Sequence, residues 1–556
     1  MRYFVKHISL ILLHLTLALN GFAQHNSAVS NVWIADNGDG TYTNPILHAD
    51  YSDPDVIKVG GDFYMTSSSF NAVPALPILH SKDLVNWKLI NHAVNNLLPE
   101  EHFSSPQHGN GVWAPSIRYH QGYFYIYWGD PDFGIYMVKT DDPAGEWDDP
   151  VLVKAGEGLI DPSPLWDDDG KAYLVHAYAR SRSGINTVLV VHEMNPDGTE
   201  LTGEPVLVFD GHENGNRVVE GPKFLKRGGW YYILAPAGGV TEGWQLALRS
   251  KNAFGPYEHK KVLHQGNTDI NGPHQGGLVE LDSEESWFVH FQDKGVYGRI
   301  VHLNPVEWKD GWPMIGEDIN NDGVGEPVLT YQKPDVGSEF PIQTPAESDE
   351  FNKQKLGLQW QWHGNPEPTW ALTSKMGFVR LYGKPLPKGV KNLWGVPNLL
   401  LQKFSAPAFT ATVKMKFRPH MIGEKAGLII MGEDYGYLAV ERGRDGFRIM
   451  QVTAEGADSG VSENVQESAQ VNSRELWFRA EIQEGGLTRF SYSDDGQSFN
   501  EIGEAFQAKE GRWIGAKIGL FAVQPQNGEP DDYLDYSSQH SGFADVDWFR
   551  ITTLEK

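Results

Sequence analysis

The sequence lacks cysteine, and it is short of basic residues and of long apolar runs. Because none of its 556 residues is cysteine, disulfides, thiolate metal sites, a cysteine nucleophile and a lipid anchor on an N-terminal cysteine are excluded. The formal net charge of -26 argues against a nucleic-acid partner, since a phosphate-binding surface needs a basic stripe. No long segment shows helical periodicity, which argues against a helical fold.

The first 23 residues are typical of a secretory signal. Arg2 and Lys6 charge the start, an apolar run of about a dozen residues follows, and residues 21–23 offer a cleavage site. The run is shorter than the roughly 20 apolar residues that a transmembrane helix needs. We therefore expect export to the periplasm or the exterior, a mature chain beginning near Gln24, and no membrane anchor.

Glycine, proline and aromatic residues are abundant. The chain has 60 Gly, 33 Pro and 18 Trp, and aromatic residues make up 12% of it. Short apolar runs broken by turn residues are typical of an all-β protein. The many rings also provide surface that can stack on sugars.

One motif recurs five times, with a period of roughly 50 to 60 residues. Each copy has a polar turn followed by aromatic residues, which predicts a hairpin leading into a β-strand, and another short strand precedes the turn. Five copies predict a five-bladed β-propeller over about residues 40–332, in which the first strand of each blade lines the central channel. The turns lie at 60–64, 121–125, 169–173, 228–232 and 283–287, and the preceding strands open at 53–55, 113–115, 161–163, 220–222 and 274–276.

The motif is absent from the last part of the chain. Residues 333–346 are rich in proline and predict a linker. Alternating strands within 347–556 predict a second β-domain, a sandwich of the jelly-roll or concanavalin type. Its Trp360, Trp362 and Trp370 could form a glycan-binding platform or a core, and we expect the core.

Three acidic residues, Asp53, Asp161 and Glu220, open the inner strands of three different blades. If they occupy equivalent positions, their carboxyl groups meet at one end of the axis. Crowding and lost hydration then raise one pKa, so that one group keeps its proton. Glycoside hydrolysis requires this asymmetry, because one carboxyl protonates the leaving oxygen while another activates water. The alternative is a glycan-binding propeller, but a lectin would repeat its sugar site in every blade.

Six strings between about residues 44 and 330 carry a family resemblance. They are Asn44-Pro45-Ile46-Leu47, Ser52-Asp53-Pro54-Asp55, Trp113-Ala114-Pro115, Ile160-Asp161-Pro162-Ser163, Glu220-Gly221-Pro222 and His274-Gln275-Gly276-Gly277. Together they resemble glycoside hydrolase family 43, and the two-domain layout resembles that family's β-xylosidases and α-L-arabinofuranosidases. The resemblance implies an inverting mechanism in which Asp53 is the general base, Glu220 is the general acid, and Asp161 tunes the pKa of the acid and orients it. The carboxyl groups of the base and the acid should then lie roughly 6.5 to 9.5 Å apart.

Further residues have candidate roles around these acids. Trp113 could stack on the sugar and Phe70 could form an apolar wall, with ordinary packing as the alternative for both. Arg299 resembles the family's substrate-binding arginine, and it could equally balance the charge of the acids. The resemblance also implies a central calcium ion held through His274.

A second calcium site is a weaker hypothesis. Glu350 near the start of the second domain and Asp545 near its end could clamp a structural calcium ion, since calcium prefers carboxylate oxygens.

These features predict an exo-acting inverting β-1,4-xylosidase that releases xylose from xylo-oligosaccharides and xylan. A loop lent by the second domain would close the channel and favour chain ends. An α-L-arabinofuranosidase acting on arabinoxylan side chains and an endo-xylanase are the alternatives. No organic cofactor is expected.

Overall fold

The computed structural model describes residues 29–526 and 541–554, and these residues are nearly all β-structure. The predicted fold class, a five-bladed β-propeller followed by a β-sandwich, is confirmed. The predicted signal segment, residues 1–23, lies outside the described residues. Within the described ranges, no helix combines the length and the apolar character needed to cross a membrane. The one α-helix there is the single turn α1 (Arg180–Ser183).

The propeller consists of five four-stranded antiparallel sheets, each built from four consecutive strands. The first strand of each blade is the innermost. In chain order the blades are β2 (Asp55–Val59), β3 (Asp62–Thr66), β4 (Ala75–Ser81) and β5 (Trp87–Val94); β6 (Trp113–His120), β7 (Tyr123–Asp130), β8 (Gly134–Thr140) and β9 (Val151–Ala155); β10 (Leu159–Trp166), β11 (Ala172–Tyr178), β12 (Val188–Met194) and β13 (Val206–Asp210); β14 (Lys223–Arg227), β15 (Trp230–Ala237), β16 (Trp244–Ser250) and β17 (Glu258–Leu263); β18 (His274–Glu280), β19 (Ser286–Asp293), β20 (Arg299–Lys309) and β21 (Trp312–Ile315).

Apolar side chains fill the gap between each pair of neighbouring blades. Strand faces that bury β-branched and aromatic residues pack against the next sheet, and the burial of this surface holds the blades in a ring. One fully buried representative of each gap, in order around the ring, is Phe63, Ile126, Leu174, Phe224 and Phe288. This radial packing fixes the starts of the inner strands around a common axis.

The ring closes without sharing a strand between its first and last blades. Strands β1 (Thr41–Thr43) and β22 (Thr330–Gln332) pair with each other as a separate two-stranded sheet. The buried side-chain amide of Asn44 accepts a hydrogen bond from Leu303 N at 2.9 Å and donates to Leu303 O and Val328 O, both at 2.8 Å. One amide group therefore ties the N-terminal segment to the fifth blade.

The second domain packs two eight-stranded sheets face to face. Their shared core includes Trp360, Trp362 and Trp370, which are 2%, 8% and 5% exposed, so the predicted core placement is confirmed. One sheet runs β23 (Gln361–Trp362), β27 (Leu400–Lys403), β37 (Lys517–Gln524), β29 (Lys425–Met431), β30 (Tyr435–Gly443), β31 (Gly446–Ala454) and β32 (Asn464–Val471), with β26 (Lys384–Pro385) beside β37; the other runs β24 (Ala371–Ser374), β25 (Phe378–Tyr382), β38 (Phe543–Thr552), β28 (Phe409–Arg418), β33 (Glu475–Ile482), β34 (Leu487–Ser493) and β35 (Asn500–Glu501), with β36 (Phe506–Gln507) beside β34. Short 3-10 helices lie at His102–Ser104, Gly295–Tyr297, Leu393–Gly395 and Ala457–Ser459.

The sandwich is joined to the first blade by hydrogen bonds. Trp362 N donates to Val73 O at 2.5 Å, and Val73 N donates to Trp362 O at 3.1 Å. The side chain of Asn365 accepts from Leu97 N at 2.8 Å and donates to Leu97 O at 2.9 Å. The two domains therefore meet through matched backbone groups, and this fixes how the sandwich approaches the propeller.

We expect Asn44→Ala to destabilise the protein, because it removes three buried hydrogen bonds, although Leu303 O keeps its bond from the Tyr42 hydroxyl. Each lost bond is worth about 1 kcal/mol, so the total loss is on the order of 3 kcal/mol. Urea unfolding followed by tryptophan fluorescence would measure it. The control is Asn37→Ala, whose exposed amide bonds only to Thr41 and Thr43. Equal unfolding midpoints for both variants would contradict this account of ring closure.

Candidate active site

A residue with positive φ recurs at the start of the inner strand in every blade. Strand pairing is also irregular at this point in β6, β10 and β18, as in a β-bulge, which re-aims the local side chain. The left-handed region costs a residue other than glycine on the order of 1 kcal/mol, and aspartate tolerates it better than most. The five residues are Asp53 (54°), Ala114 (35°), Asp161 (57°), Gly221 (57°) and Gln275 (41°).

Glu220 precedes this position by one residue, since Gly221 holds the positive φ in its blade. The prediction that Glu220 is equivalent to Asp53 and Asp161 is therefore wrong by one residue. The two carboxyl groups therefore have different surroundings. The Glu220 side chain is 30% exposed, whereas that of Asp53 is 7% exposed. The residues in register with Glu220 are Ser52, Trp113, Ile160 and His274.

The three acids nevertheless line one pocket, at the end of the axis where the inner strands begin. The pocket and its open mouth together span about 800 Å³. Its walls come from several blades and from the second domain. The predicted site residues that line it are Asp53, Phe70, Trp113, Asp161, Glu220 and Arg299.

Asp53 is surrounded by hydrogen-bond donors. The hydroxyl groups of Ser52 and Ser68 donate to its Oδ2 at 2.8 and 2.6 Å. Arg299 Nη1 lies 3.1 Å from Oδ1 and 3.2 Å from Oδ2. These contacts place only donors and a cation around both oxygens, an environment that suits a charged carboxylate. Ser68 in turn accepts from Ala114 N at 2.7 Å, so the second blade helps to hold the group.

Asp161 is the most deeply buried of the three acids. Burial raises its pKa to about 8, and the negative charge of Glu220 adds to the shift. Its Oδ2 accepts a hydrogen bond from Gly221 N at 2.7 Å. Since Gly221 follows Glu220 directly, this bond fixes the backbone that carries Glu220.

His274 contacts Glu220. The ring Nε2 lies 3.3 Å from Glu220 Oε1, and the side chain is 1% exposed. Nδ1 faces the backbone of Gly243, where an added Cβ would come within 2.8 Å of it. Calcium takes six to eight oxygen ligands, and among residues 29–526 and 541–554 no group of three or more His, Cys, Asp or Glu side chains could hold a metal ion. The buried ring Nδ1 has no hydrogen-bond partner among the described residues, and the predicted calcium ion held through His274 and water stays a prediction.

The predicted calcium clamp in the second domain is not supported. Glu350 binds Arg550 through two bonds of 2.7 and 2.9 Å. Asp545 binds Arg380 through two bonds of 2.7 and 3.0 Å. Each carboxylate is therefore neutralised by its own arginine. Asp545 and Arg550 stand five residues apart on β38, roughly 16 Å along a strand, so the two carboxylates do not meet at one ion.

Two aromatic side chains form one wall of the pocket. The rings of Phe70 and Trp113 meet edge to face, with centroids 6.4 Å apart. Trp113 Nε1 donates to Gly109 O at 2.8 Å, which fixes the indole. Arg182 lies 5.9 Å from the indole centroid on another side. Both predicted aromatic residues thus face the space beside the acids, where a ring can stack on a sugar.

Trp513 comes from the second domain and was not singled out from the sequence. It lines the pocket, is 47% exposed and has a positive φ of 63°. Asp50 anchors its loop, because its Oδ2 accepts from Gly515 N at 3.1 Å while its Oδ1 accepts from Arg299 N at 2.9 Å. Gly515 packs so closely that an added Cβ would lie 2.5 Å from the carbonyl carbon of Tyr297. The loop that we expected the second domain to lend to the pocket is therefore the tightly fixed loop that carries Trp513.

The segment around α1 adds the remaining rim of the pocket, and it too was missed. Arg180, Ser181 and Asn186 line the pocket from the connection between β11 and β12. Nothing in the repeat indicates them, since this connection lies outside the repeated motif.

Comparison with known proteins identifies both domains. The family described as glycosyl hydrolases family 43 matches residues 42–313, and the beta xylosidase C-terminal concanavalin A-like domain matches residues 348–552. A putative beta-xylosidase of Xylanibacter ruminicola is 38% identical over 492 residues, which cover 88% of this chain and 87% of that protein. A non-reducing end alpha-L-arabinofuranosidase of Bacteroides ovatus is 34% identical, over 72% of this chain and 76% of its own. The crystal structure of a family 43 protein from Bacillus licheniformis superposes with a TM-score of 0.76 at 29% identity, covering 92% of this chain and 100% of that one.

We expect Asp161 to make stability depend on pH. Its pKa is raised in the folded protein, so the stability that its protonated form contributes is complete below about pH 4 and is lost as pH rises through about 8. Asp161→Asn, which stays neutral, should therefore gain melting temperature relative to the unsubstituted protein as pH rises from 5 to 8. The surface control Asp168→Asn, at a side chain that is 94% exposed, should show a constant difference. A constant difference for Asp161→Asn as well would refute the raised pKa.

Proposed function

This chain belongs to the glycosyl hydrolases of family 43, and from that premise we propose that it is an exo-acting β-1,4-xylosidase. It releases terminal xylose from xylo-oligosaccharides and xylan, with the inversion of configuration that characterises the family. One observation carries the proposal: Asp53, Asp161 and Glu220 converge in a single pocket beside Arg299. No organic cofactor is needed, because two carboxyl groups and water supply the chemistry.

In this mechanism Asp53 is the general base and Glu220 is the general acid. A water molecule between Asp53 and the sugar loses its proton to Asp53 as it attacks the anomeric carbon, while Glu220 protonates the departing oxygen. The contacts of Asp53 support its role, since two hydroxyl groups and Arg299 hold its carboxyl group in place. The partial exposure of Glu220 supports the other role, because the leaving sugar must reach it.

Asp161 assists the acid rather than the substrate. Its hydrogen bond from Gly221 N holds the backbone next to Glu220. The negative charge of Glu220 adds to the raised pKa of Asp161, so the two carboxyl groups interact electrostatically as well as through the backbone.

The exo mode of action rests on the lid. Trp513 extends from the sandwich over the mouth of the propeller pocket, beside the aromatic wall of Phe70 and Trp113. A channel capped in this way receives the end of a chain more readily than its middle.

The preference for xylose is supported by the printed name of the Xylanibacter protein, which is similar over most of both chains. The second candidate is an α-L-arabinofuranosidase, favoured by the similarity to the Bacteroides protein. Both sugars are pentoses, so a pocket of this size can accept either.

We also propose that the protein is exported, to the periplasm or the exterior. The charged start with Arg2 and Lys6 and the apolar run that follows support this location. Its partners are then xylan-derived oligosaccharides outside the cytoplasm.

The two catalytic carboxyl groups should respond differently to the leaving group. Glu220→Gln should slow hydrolysis of xylobiose on the order of 10³-fold, because the sugar oxygen leaves only when protonated. Dinitrophenyl β-xyloside needs little protonation, so its loss should be far smaller. Asp53→Asn should slow both substrates alike, since both need activated water. Glu242→Gln, at a side chain that is 78% exposed, serves as the control. Equal losses on both substrates for Glu220→Gln would reject its role as the acid.

Substrate and stereochemistry can be tested together. We expect hydrolysis of nitrophenyl β-xyloside to exceed that of nitrophenyl α-arabinofuranoside, and proton NMR should detect α-xylose as the first product, because water attacks the opposite face. Xylan viscosity should fall little, since exo action shortens chains from their ends. Preference for the arabinofuranoside would support the second candidate, and β-xylose as the first product would overturn the mechanism.

A further inference from the structure

A buried lysine bridges two blades near the catalytic acids, between the fourth and second inner strands. Lys223 follows Glu220 by three residues on the inner strand of the fourth blade and is 2% exposed. Its Nζ donates to Pro115 O at 2.7 Å and to Ser116 Oγ at 2.9 Å, both on the second blade. These partners are neutral, so the ammonium group has hydrogen bonds but no direct carboxylate partner among them.

A second cation, Arg118, lies in the same region and is 18% exposed. Arg118 Nη1 binds Asp55 Oδ2 at 2.6 Å, and its Nη2 donates to Ser163 Oγ at 2.8 Å. Asp55 is 1% exposed, and its Oδ2 also accepts from Ile117 N at 2.9 Å. This cluster connects the inner strands of the first three blades.

The fifth blade presents only a glycine to Asp55 at this level. A Cβ on Gly277 would lie 2.7 Å from Asp55 Oδ1, so the carboxylate needs the space that glycine leaves. The charged groups that act on Lys223 are Asp55, Arg118, Asp161 and Asp53. Glu220 lies three residues before Lys223, ahead of β14, and His274 of the fifth blade contacts it.

Counting charge in this cluster gives two cations, Lys223 and Arg118, against one anion, Asp55. A net positive charge thus lies near the three carboxyl groups of the pocket. In a desolvated space such a charge acts strongly, because little water screens it.

We propose that Lys223 is a positioning residue whose buried positive charge, bonded to the start of the second blade's inner strand where Ser68 is held against Asp53, sets the acid limit of activity. The charge of Lys223 lowers the pKa of Asp161, against the larger upward effect of burial. Burial lowers the pKa of Lys223 itself, while Asp55, Asp161 and Asp53 support its charged form. The inference rests on the proposed function for its link to turnover.

The test measures kcat/KM as a function of pH. It compares the acid limb of that profile between a variant that loses a cation and a variant that loses an anion. Lys223→Met removes the cation and should move the limb to higher pH, by on the order of one unit. Asp55→Asn removes the anion and should move the limb to lower pH. Lys226→Met is the matched control, because Lys226 is on the same strand but pairs with Asp167 away from the axis, and it should leave the limb in place.

Structural damage cannot mimic this result, because it would not move the limb in opposite directions in the two axis variants. Shifts of the same sign, or none, would overturn the proposal, and so would a Lys223→Met shift that vanishes in molar salt. If Lys223→Met does not fold, Lys223→Gln, which retains a donor for Pro115 O, should give the same direction of shift.

A readout without turnover separates this inference from the proposed function. Carbon NMR of labelled aspartate carboxyl groups follows their titration directly. Shifted titration in Lys223→Met together with no hydrolysis of any glycoside would reject the enzyme and retain the charge effect. Normal hydrolysis together with unchanged titration would reject the charge effect and retain the enzyme.

Discussion

The burial of charge at the propeller axis is the constraint on which the rest of the structure depends. Five inner strands converge there, and the aspartates at their starts, Asp53, Asp55 and Asp161, are at most 5% exposed. Charged groups in such a space must either pair or change their protonation. Asp53 is paired with Arg299, Asp55 is paired with Arg118, and Asp161 keeps its proton to higher pH. The unequal states of the acids thus follow from their unequal partners.

The second domain contributes to the same pocket. Asp50 joins the backbone of Arg299 to the loop of Trp513, so the residue that binds Asp53 and the residue that caps the pocket share one anchor. The backbone hydrogen bonds between Trp362 and Val73 hold the sandwich against the first blade. A sandwich that only bound distant glycan would not need this connection to the acids.

Much of the architecture could be read from the sequence, because its causes are local. The turn and aromatic motif specifies a hairpin wherever it occurs, and five copies therefore predicted five blades. Asp53, Asp161, Phe70, Trp113 and Arg299, which the sequence suggested, all line the pocket. The position of Glu220 was off by one residue, since an alignment of motifs does not reveal which residue adopts the positive φ. The sequence does contain a marker of that residue, because proline follows the positive-φ residue in four of the blades.

The sequence alone determined the fold class, the number of blades and the three acids, because these depend on patterns repeated along the chain. Only the tertiary structure decided the surroundings of each acid, the arginine partners of Glu350 and Asp545, and the position of His274 beside Glu220. It alone also brought Trp513 to the pocket and Lys223 near the acids. The reason is physical: the protonation and the reach of a side chain depend on neighbours that are distant along the chain, and packing alone brings them together.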